Sequence, residues 1–323
     1  MKKIRRDPEP ARAALARRGA AEALDQLLEL DERRRALSTE LDESRAAQNR
    51  VSAEIKELAG QGRTEDPGFA ELRGSSGELK AKLKELEPQL AEVEQFRDEL
   101  AASLPNLPAA EAPDGLTEED AVVVREVGEP PEFDFEPLDH VELAERHGWL
   151  DMEAAARTSG SRFAYMLGDL VMVEVALVRF ALELLRGEGF TPVSPPVMVR
   201  EQALYGTGFF PGERDTIYEV PKDDLFLVGT SEVALASLHA DSILGPGELP
   251  LRYAGFSTCF RREAGAGGRD TRGIFRVHQF DKVEMFSFVE PVESGAEHER
   301  ILAIEEKILS ALELPYRVVD IPV

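Results

Sequence analysis

The chain has 323 residues, which is long enough for two domains and a sizeable core. Its 62 acidic residues against 38 lysines and arginines give a net charge of −24, which excludes nucleic-acid binding over the whole surface, so a polyanion must meet a local basic patch. The single cysteine, Cys259, excludes an internal disulfide framework and a cysteine-cluster metal site, and its strand-like surroundings favour a buried residue over a nucleophile.

No targeting segment is predicted. The N-terminal stretch is basic, but no apolar core follows it, so it does not resemble a secretory signal. The apolar run at 170–185 contains Glu174, Arg179 and Glu183 and is therefore a poor membrane span. These patterns predict a soluble, cytoplasmic protein without membrane contact.

Residues 24–104 carry a coiled-coil pattern. The segment "GQGRTEDPG" interrupts it and cannot continue a helix, so two antiparallel helices are predicted, each about 50 Å long at 1.5 Å per residue. "GSSG" at 74–77 and Pro88 are expected to weaken and kink the second helix. The heptad positions are Leu30, Leu37, Ser44, Val51 and Leu58, then Leu72, Leu79, Leu86, Val93 and Leu100.

The outer part of this arm, residues 45–84, is less acidic than its base, with eight lysines and arginines and six acids. Two interpretations stay open: a solvated coiled-coil surface, or a probe that contacts phosphate backbones. The candidate contacts are Arg45, Arg50, Lys56, Arg63, Arg73, Lys80 and Lys84.

An acidic linker with edge elements is predicted over 105–158. "AVVVREVG" indicates an edge strand, and "DHVELAERHGWLD" indicates a short helix with Asp139 as its N-cap. His140 and His147 lie two helical turns apart, but no third ligand is near, so no metal site is predicted.

The body over 159–323 is predicted to be an α+β domain around a mostly antiparallel sheet. A long apolar helix, "LGDLVMVEVALVRFALELLRGEGF", should be buried on several faces, which a subunit interface would satisfy. "FTPVSPPVMV" is extended. "DLFLVG" is a buried strand, and Thr230 or Ser231 can cap the helix of "TSEVALASLHADSI". "RYAGFSTCFRRE", "IFRVHQFDKVEMFSFV" and "YRVVDIPV" are strands, and "SGAEHERILAIEEKILSAL" is a helix with Ser294 as its cap.

Two of these strands flank the glycine-rich loop 264–273, and alternation along them predicts one shared face. That face carries two guanidiniums, an aromatic ring and two carboxylates, which suits a nucleotide's phosphates and base. A surface hairpin whose charges pair among themselves is the alternative. No P-loop sequence is present. The residues of the face are Arg261, Glu263, Arg276, Phe280 and Glu284.

"FRREAG" and "RGIFRVHQFDKVE" resemble motif 2 of the class II aminoacyl-tRNA synthetases, in the form found in the seryl-tRNA synthetase family. "GFTPVSPP" resembles motif 1, the dimer-forming element. "GTGFFPG" at 206–212 and "TSE" at 230–232 resemble loops of the same family, and the helical arm resembles the element that grips the long variable arm of its tRNA.

The resemblance implies an N-terminal tRNA-binding arm over 1–104 and a class II catalytic domain. It implies a homodimer formed through the motif 1 helix and strand, ATP and Mg²⁺, and L-serine and tRNA(Ser), with tRNA(Sec) as a further substrate. Arg261 would hold the ATP α-phosphate and Arg276 the γ-phosphate, both as catalytic residues, with Glu263 beside adenine and Phe280 stacked on it. Arg262 and Val277 complete the ATP set, and Thr230, Ser231, Glu232, Arg261 and Glu284 would hold serine.

Members of this family continue beyond the position reached by Val323, where motif 3 and further serine contacts are expected. We therefore expect this chain to be C-terminally truncated and to activate serine weakly or not at all. Two alternatives remain: a ligase that loads an amino acid on a carrier protein, whose relatives lack the long arm, and a non-catalytic coiled-coil interaction protein built on a synthetase body.

Overall fold

The computed structural model describes residues 2–115, 117–263 and 272–323. Most of the predicted glycine-rich loop 264–273 lies outside these ranges. The chain forms two compact units, one of Met1–Val124 with Val319–Val323 and the other of Arg125–Val318. Within the described ranges, no helix is both long enough and apolar enough to cross a membrane.

Four helices build the first unit: α1 (Lys2–Arg6), α2 (Glu9–Ala16), α3 (Ala21–Gly60) and α4 (Pro67–Ser103). Helices α3 and α4 pair in antiparallel fashion, because Arg34 lies 3.9 Å from Glu94 near the base and Arg45 lies 2.9 Å from Glu87 farther out. Every predicted heptad position is buried or partly buried, as a hairpin seam requires. The predicted helical hairpin is therefore confirmed.

Helix α4 runs without interruption through the glycines of "GSSG" and through Pro88. The expected weakening did not break it, because Leu86 and Val93 on either side of the proline are buried in the seam. Packing against α3 thus outweighs the low helix propensity of these residues.

All seven candidate phosphate contacts on the arm are exposed. Arg45 pairs with Glu87, and Arg63 pairs with Asp66 at 2.6 Å. No ion pair within 4 Å is found in the described ranges for the other five, which are Arg50, Lys56, Arg73, Lys80 and Lys84.

Strands β4, β8 and β9 form one three-stranded sheet and β5, β7 and β6 another; β2 pairs with β3 and β1 with β10. Among the registered pairs only β4 with β8 is parallel, so the predicted, mostly antiparallel α+β body is confirmed. The strands are β1 (Val122–Val127), β2 (Leu150–Asp151), β3 (Tyr165–Met166), β4 (Thr191–Val193), β5 (Met198–Val199), β6 (Tyr218–Val220), β7 (Leu225–Leu227), β8 (Leu251–Phe260), β9 (Gln279–Phe288) and β10 (Tyr316–Asp320).

Two helix predictions needed correction. Glu293, not Ser294, occupies the N-cap of the last helix, and no side-chain cap bond forms there. The helix at "TSE" is only five residues long before a 3-10 turn, and Ser231 makes no cap bond. Asp139 caps its helix as predicted. The helices of the second unit are α5 (His140–His147), α6 (Met152–Ser159), α7 (Asp169–Gly187), α8 (Glu201–Gly206), α9 (Glu232–Ala236) and α10 (Ser294–Ala311).

Helices α7 and α10 pack on one sheet through a core of Leu185, Phe190, Ala254 and Ile304. In the single chain Leu185 is the only fully buried residue of α7, so the predicted burial on several faces depends on the subunit interface that was expected to provide it. The first half of α7 carries five apolar side chains that are 36–65% exposed within the described ranges, and we call this surface its exposed apolar face: Val171, Met172, Val173, Val175 and Leu177.

A partly buried ion pair joins β8 to α10. Arg252 donates two hydrogen bonds of 2.7 Å to the Glu297 carboxylate, and Ser287 donates a third of 2.8 Å. The bonds from Arg252 lower the pKa of Glu297, although burial opposes them, and the bond from Ser287 adds to the lowering.

This pair predicts an acid-sensitive contribution to stability. Because the folded pKa of Glu297 lies below the unfolded value, its stabilisation is present above that unfolded value, about 4.3, and is lost as pH falls through the folded pKa. We expect Glu297→Gln to lower the free energy of unfolding by about 2 kcal/mol at pH 7 and by almost nothing at acid pH. Urea unfolding at both pH values measures this, with exposed Glu305→Gln as the control; a deficit that persists unchanged in acid contradicts the assignment.

Candidate active site

Strands β8 and β9 carry the candidate site, and their register places Cys259 opposite Phe280 and Gly255 opposite Glu284. The predicted alternation extends too far, because β8 ends at Phe260 and β9 begins only at Gln279. Glu263 has a φ of +50°, so side chains beyond β8 no longer alternate as in a strand. The face nevertheless persists, since Arg261 N donates to the His278 carbonyl at 3.0 Å and keeps the two chains together.

The guanidinium of Arg261 lies 5.1 Å from the centre of the Phe280 ring, and its Nε donates to the Gly229 carbonyl at 3.1 Å. Arg276 donates to Glu263 across a distance of 2.6 Å. Three of the predicted charged residues, Arg261, Glu263 and Arg276, line one cavity of about 380 Å³. Of the predicted face of two arginines, an aromatic ring and two carboxylates, both arginines and Glu263 therefore meet at this cavity, Phe280 contacts it through Arg261, and Glu284 does not line it.

Not all predicted nucleotide residues face this cavity. Val277 and Phe280 line a second cavity of about 590 Å³, which is also bounded by Ile274 and Thr258. Arg262 turns toward Tyr218, with its guanidinium 5.6 Å from that ring. Consecutive side chains of an extended chain point to opposite sides, so Arg261 and Arg262 separate.

A buried hydrogen-bond network surrounds Glu284. Its carboxylate accepts from Ser231 Oγ at 2.6 Å, from Thr230 Oγ1 at 2.7 Å, from the Glu232 backbone N–H at 2.9 Å and from Lys282 Nζ at 2.9 Å. Burial favours a higher pKa for Glu284, but the bonds from Ser231, Lys282 and Thr230 outweigh it and lower the pKa. Glu284 is therefore a fixed negative charge.

The hydroxyls of Thr230 and Ser231 both donate to this carboxylate, and Thr230 Oγ1 also accepts the N–H of Glu232, the first residue of α9, at 3.3 Å. Both residues are buried, at 4% and 0% exposure. Gly255 on β8 makes the arrangement possible. A Cβ at that position would lie 2.9 Å from Ser231 Oγ and 2.8 Å from Leu235 Cδ1. Any larger residue would therefore push the start of α9 away from Glu284.

Glu232 is a second carboxyl group beside Glu284, and its pKa shifts in the opposite direction. It is half-buried, and burial raises its pKa, with a further rise from the nearby charge of Glu284. Lys282 was not among the predicted site residues, although alternation already put it on the face of Glu284. Lys282 bonds to Thr230 and to Glu284. The bond to Thr230 depends on how α9 packs against β9, which the sequence does not reveal.

Cys259 is fully buried between the sheet and its neighbours, and burial raises the pKa of its thiol. The predicted structural role is confirmed. In the described ranges, no group of three or more His, Cys, Asp or Glu residues is arranged to hold a metal ion.

Comparison with known proteins identifies the architecture. Residues 1–108 match the seryl-tRNA synthetase N-terminal domain, and residues 216–321 match the class II tRNA synthetase core domain (G, H, P, S and T). The serine–tRNA ligase of Nocardia farcinica is 45% identical over 319 residues, which cover 98% of this chain and 74% of that protein. The chain belongs to the seryl-tRNA synthetase family.

Other members of this family agree with the assignment. The serine–tRNA ligase of Streptomyces coelicolor is 46% identical over 322 residues, or 98% of this chain and 74% of that protein. The crystal structure of seryl-tRNA synthetase from Pyrococcus horikoshii complexed with ATP superposes with a TM-score of 0.89 at 39% identity, covering 99% of this chain and 76% of that one. The resemblance inferred from motif 2 and the arm is thus confirmed.

Proposed function

We propose that this chain acts as a serine–tRNA ligase, which activates L-serine with ATP and transfers it to the 3′ end of tRNA(Ser). The observation that carries the proposal is the meeting, on β8 and β9, of Arg261 over Phe280 with the buried network of Glu284. The first group suits a nucleotide and the second an amino acid. The relative from Pyrococcus horikoshii, which is 39% identical, was solved with ATP.

In the first step, a serine carboxylate oxygen attacks the α-phosphorus of ATP, and the bond to the β-phosphate oxygen breaks to release pyrophosphate. The step needs no enzyme nucleophile, so positioning and charge neutralisation supply the rate. We assign the α-phosphate to Arg261, the γ-phosphate to Arg276 and the adenine face to Phe280. Mg²⁺ would enter with the ATP phosphates and neutralise part of their charge.

The present pairing of Arg276 with Glu263 must open when ATP binds. Their 2.6 Å contact holds both groups at the cavity edge. Under the proposal, the guanidinium turns to phosphate and Glu263 turns to the exocyclic amine of adenine. The exchange replaces one charged hydrogen bond with others, so it costs little net free energy.

We assign the serine ammonium to the fixed charge of Glu284 and the serine hydroxyl to the polar groups around it, Thr230 and Glu232. A site built to hydrogen-bond a hydroxyl rejects an analogue that lacks it, because the buried polar groups of the site stay unpaired. Alanine, which differs from serine only by that hydroxyl, is thus the informative competitor.

In the second step, a ribose hydroxyl of the tRNA attacks the seryl carbonyl and AMP leaves. We propose that the exposed bases of the α3–α4 arm contact the phosphate backbone of tRNA(Ser), and of tRNA(Sec) as a second substrate. The match of residues 1–108 to the family's N-terminal domain disfavours a carrier-protein ligase, whose relatives lack this arm.

We further propose a homodimer in which the exposed apolar face of α7 meets a second copy, together with β4. Five large apolar side chains are at least 36% exposed there, and exposed apolar patches mark interaction sites: Val171, Met172, Val173, Val175 and Leu177. A cytoplasmic location fits the substrates of this activity.

Pyrophosphate exchange with a panel of amino acids tests the function. We expect serine to support exchange with a kcat/KM at least about 10³-fold above that of alanine. Binding of ATP and of a seryl-adenylate analogue by calorimetry serves as the parallel readout. Exchange led by another amino acid, or neither exchange nor analogue binding, would reject the proposal and favour one of the two alternatives.

A further inference from the structure

The N-terminus of α5 contacts the segment that leads from the described residue Arg272 to Arg276. We propose that Asp139 and His140 form a clamp that holds this segment and so positions Arg276 for ATP, an inference that rests on the proposed function. Neither residue touches a substrate in this account, so both are positioning residues.

Asp139 joins α5 to the segment 272–276, because each of its two carboxylate oxygens contacts one of them. Its Oδ1 accepts the backbone N–H groups of Val141 and Glu142, each at 2.9 Å, and its other oxygen forms an ion pair with Arg272. The Glu142 side chain in turn accepts the Asp139 N–H at 2.8 Å. Because the helix cap fixes the carboxylate, the oxygen aimed at Arg272 is fixed as well.

His140 provides the second contact. Its Nε2 accepts the backbone N–H of Ile274 at 3.3 Å, which requires a neutral ring with its proton on Nδ1. Between the two contacts lies Gly273, with a φ of +71°. A Cβ at that position would overlap the His140 ring and lie 2.6 Å from Val141 Cγ2. The close approach of α5 thus depends on a residue without a side chain.

The clamp is placed where it controls Arg276. Ile274 lies two residues before Arg276, and two residues after it the His278 N–H donates to the Arg162 carbonyl at 2.9 Å. Extended chain spans at most about 3.6 Å per residue, so ties at 274 and 278 leave the backbone of Arg276 little freedom. Arg276 is the residue whose guanidinium must pass from Glu263 to phosphate, and an error of about 1 Å there costs about 100-fold in rate.

Replacement of His140 tests the clamp, and the same helix offers a matched control. His147, at the other end of α5, stacks on Trp149 with ring centres 4.4 Å apart. Within the described ranges, the hydrogen bonds from α5 and its cap to residues 272–276 come from Asp139 and His140 and not from His147. We expect His140→Ala to raise the KM for ATP about tenfold in pyrophosphate exchange and to leave the KM for serine within about twofold, while His147→Ala changes neither. His140→Gln, which restores an acceptor, is expected to recover part of the loss.

Two further measurements keep the test decisive. Hydrogen exchange of the Ile274 amide should accelerate in His140→Ala and stay unchanged in His147→Ala. Gly273→Ala, which leaves α5 intact and pushes the segment away, should raise the KM for ATP as His140→Ala does. Faster hydrogen exchange at Ile274 in His140→Ala with an unchanged KM for ATP would show that the contact is merely structural, and this would overturn the inference. Unchanged hydrogen exchange at Ile274 would overturn it as well.

Failure of the inference and failure of the proposed function are distinguishable. If the unaltered chain shows no serine-dependent exchange, the proposed function fails, and calorimetry with ATP alone then decides about the clamp. There we expect His140→Ala to bind ATP about tenfold more weakly than the unaltered chain and His147→Ala to bind it equally. Equal binding by both variants would overturn the clamp.

Discussion

Replacement of Arg261 by alanine is expected to lower kcat/KM for serine-dependent pyrophosphate exchange by about 10³-fold, which is about 4 kcal/mol of transition-state stabilisation. Arg261 is held by Gly229 and lies over the Phe280 ring, so its guanidinium is oriented before ATP arrives. Charge on the α-phosphate grows during the attack, and a preoriented donor acts most strongly at that stage.

The comparison of alanine and lysine at this position separates charge from geometry. Arg261→Lys keeps the charge but loses the two-point donation of the guanidinium, so an intermediate loss is expected. Arg157→Ala, on the exposed side of α6, removes an equal charge away from both cavities and is expected to have no effect. Full activity of Arg261→Ala would remove Arg261 from the reaction.

Neutralisation of the five arm bases for which no ion pair is found in the described ranges is expected to have the second large effect. Changing all five to glutamine should lower kcat/KM for tRNA charging at least about 100-fold and make the salt dependence of tRNA binding less steep, by about one unit of log–log slope for each lost phosphate contact. Pyrophosphate exchange should stay within about twofold, because it does not use tRNA. The bases are Arg50, Lys56, Arg73, Lys80 and Lys84.

The same region provides a control of opposite sign. Five exposed acids of the outer arm, changed to glutamine, shift the net charge by the same amount but remove no cation, so charging should be unchanged or improved. If both variants charge tRNA equally well, the arm does not contact tRNA through these bases. Its charged surface is then a solvated coiled-coil surface, which was the first of the two interpretations. The control residues are Glu54, Glu57, Glu65, Glu71 and Glu78.

Much of the fold could be predicted from patterns that act locally. The heptads fixed the α3–α4 seam, and the burial of Leu86 and Val93 follows from them. The two long strands and the face with Arg261, Phe280 and Glu284 followed from alternation and from the resemblance to motif 2. Asp139 was recognisable as a cap, because aspartate is a preferred N-cap residue and it directly precedes the helical run.

What could not be predicted depends on long-range contacts. The hydroxyls of Thr230 and Ser231 donate to the partly buried carboxylate of Glu284, which lies 54 and 53 residues away in the chain, so no local pattern reveals this role. Lys282 joined the site for the same reason. The positive φ of Glu263 ended the alternation, and no local signal marks it, since glutamate rarely adopts that conformation.

The exposed apolar face of α7 illustrates a further limit. Its composition predicted burial, but nothing in the described part of the single chain covers Met172 or Val175, which are 65% and 55% exposed. An apolar composition predicts that a surface is buried, but it does not identify the element or partner that buries it. Sedimentation of the chain against a Met172→Glu variant distinguishes a second copy from an uncovered face.

Calorimetric binding of a seryl-adenylate analogue, with serine joined to AMP through a sulfamate, tests the central claim most directly, because it requires both halves of the β8–β9 surface at once. The account predicts a Kd below about 1 µM, at least about 100-fold weaker binding of the alanyl analogue, and at least about tenfold weaker binding by Arg261→Ala and Glu284→Gln. Absence of binding, or equal affinity for the seryl and alanyl analogues, would contradict it.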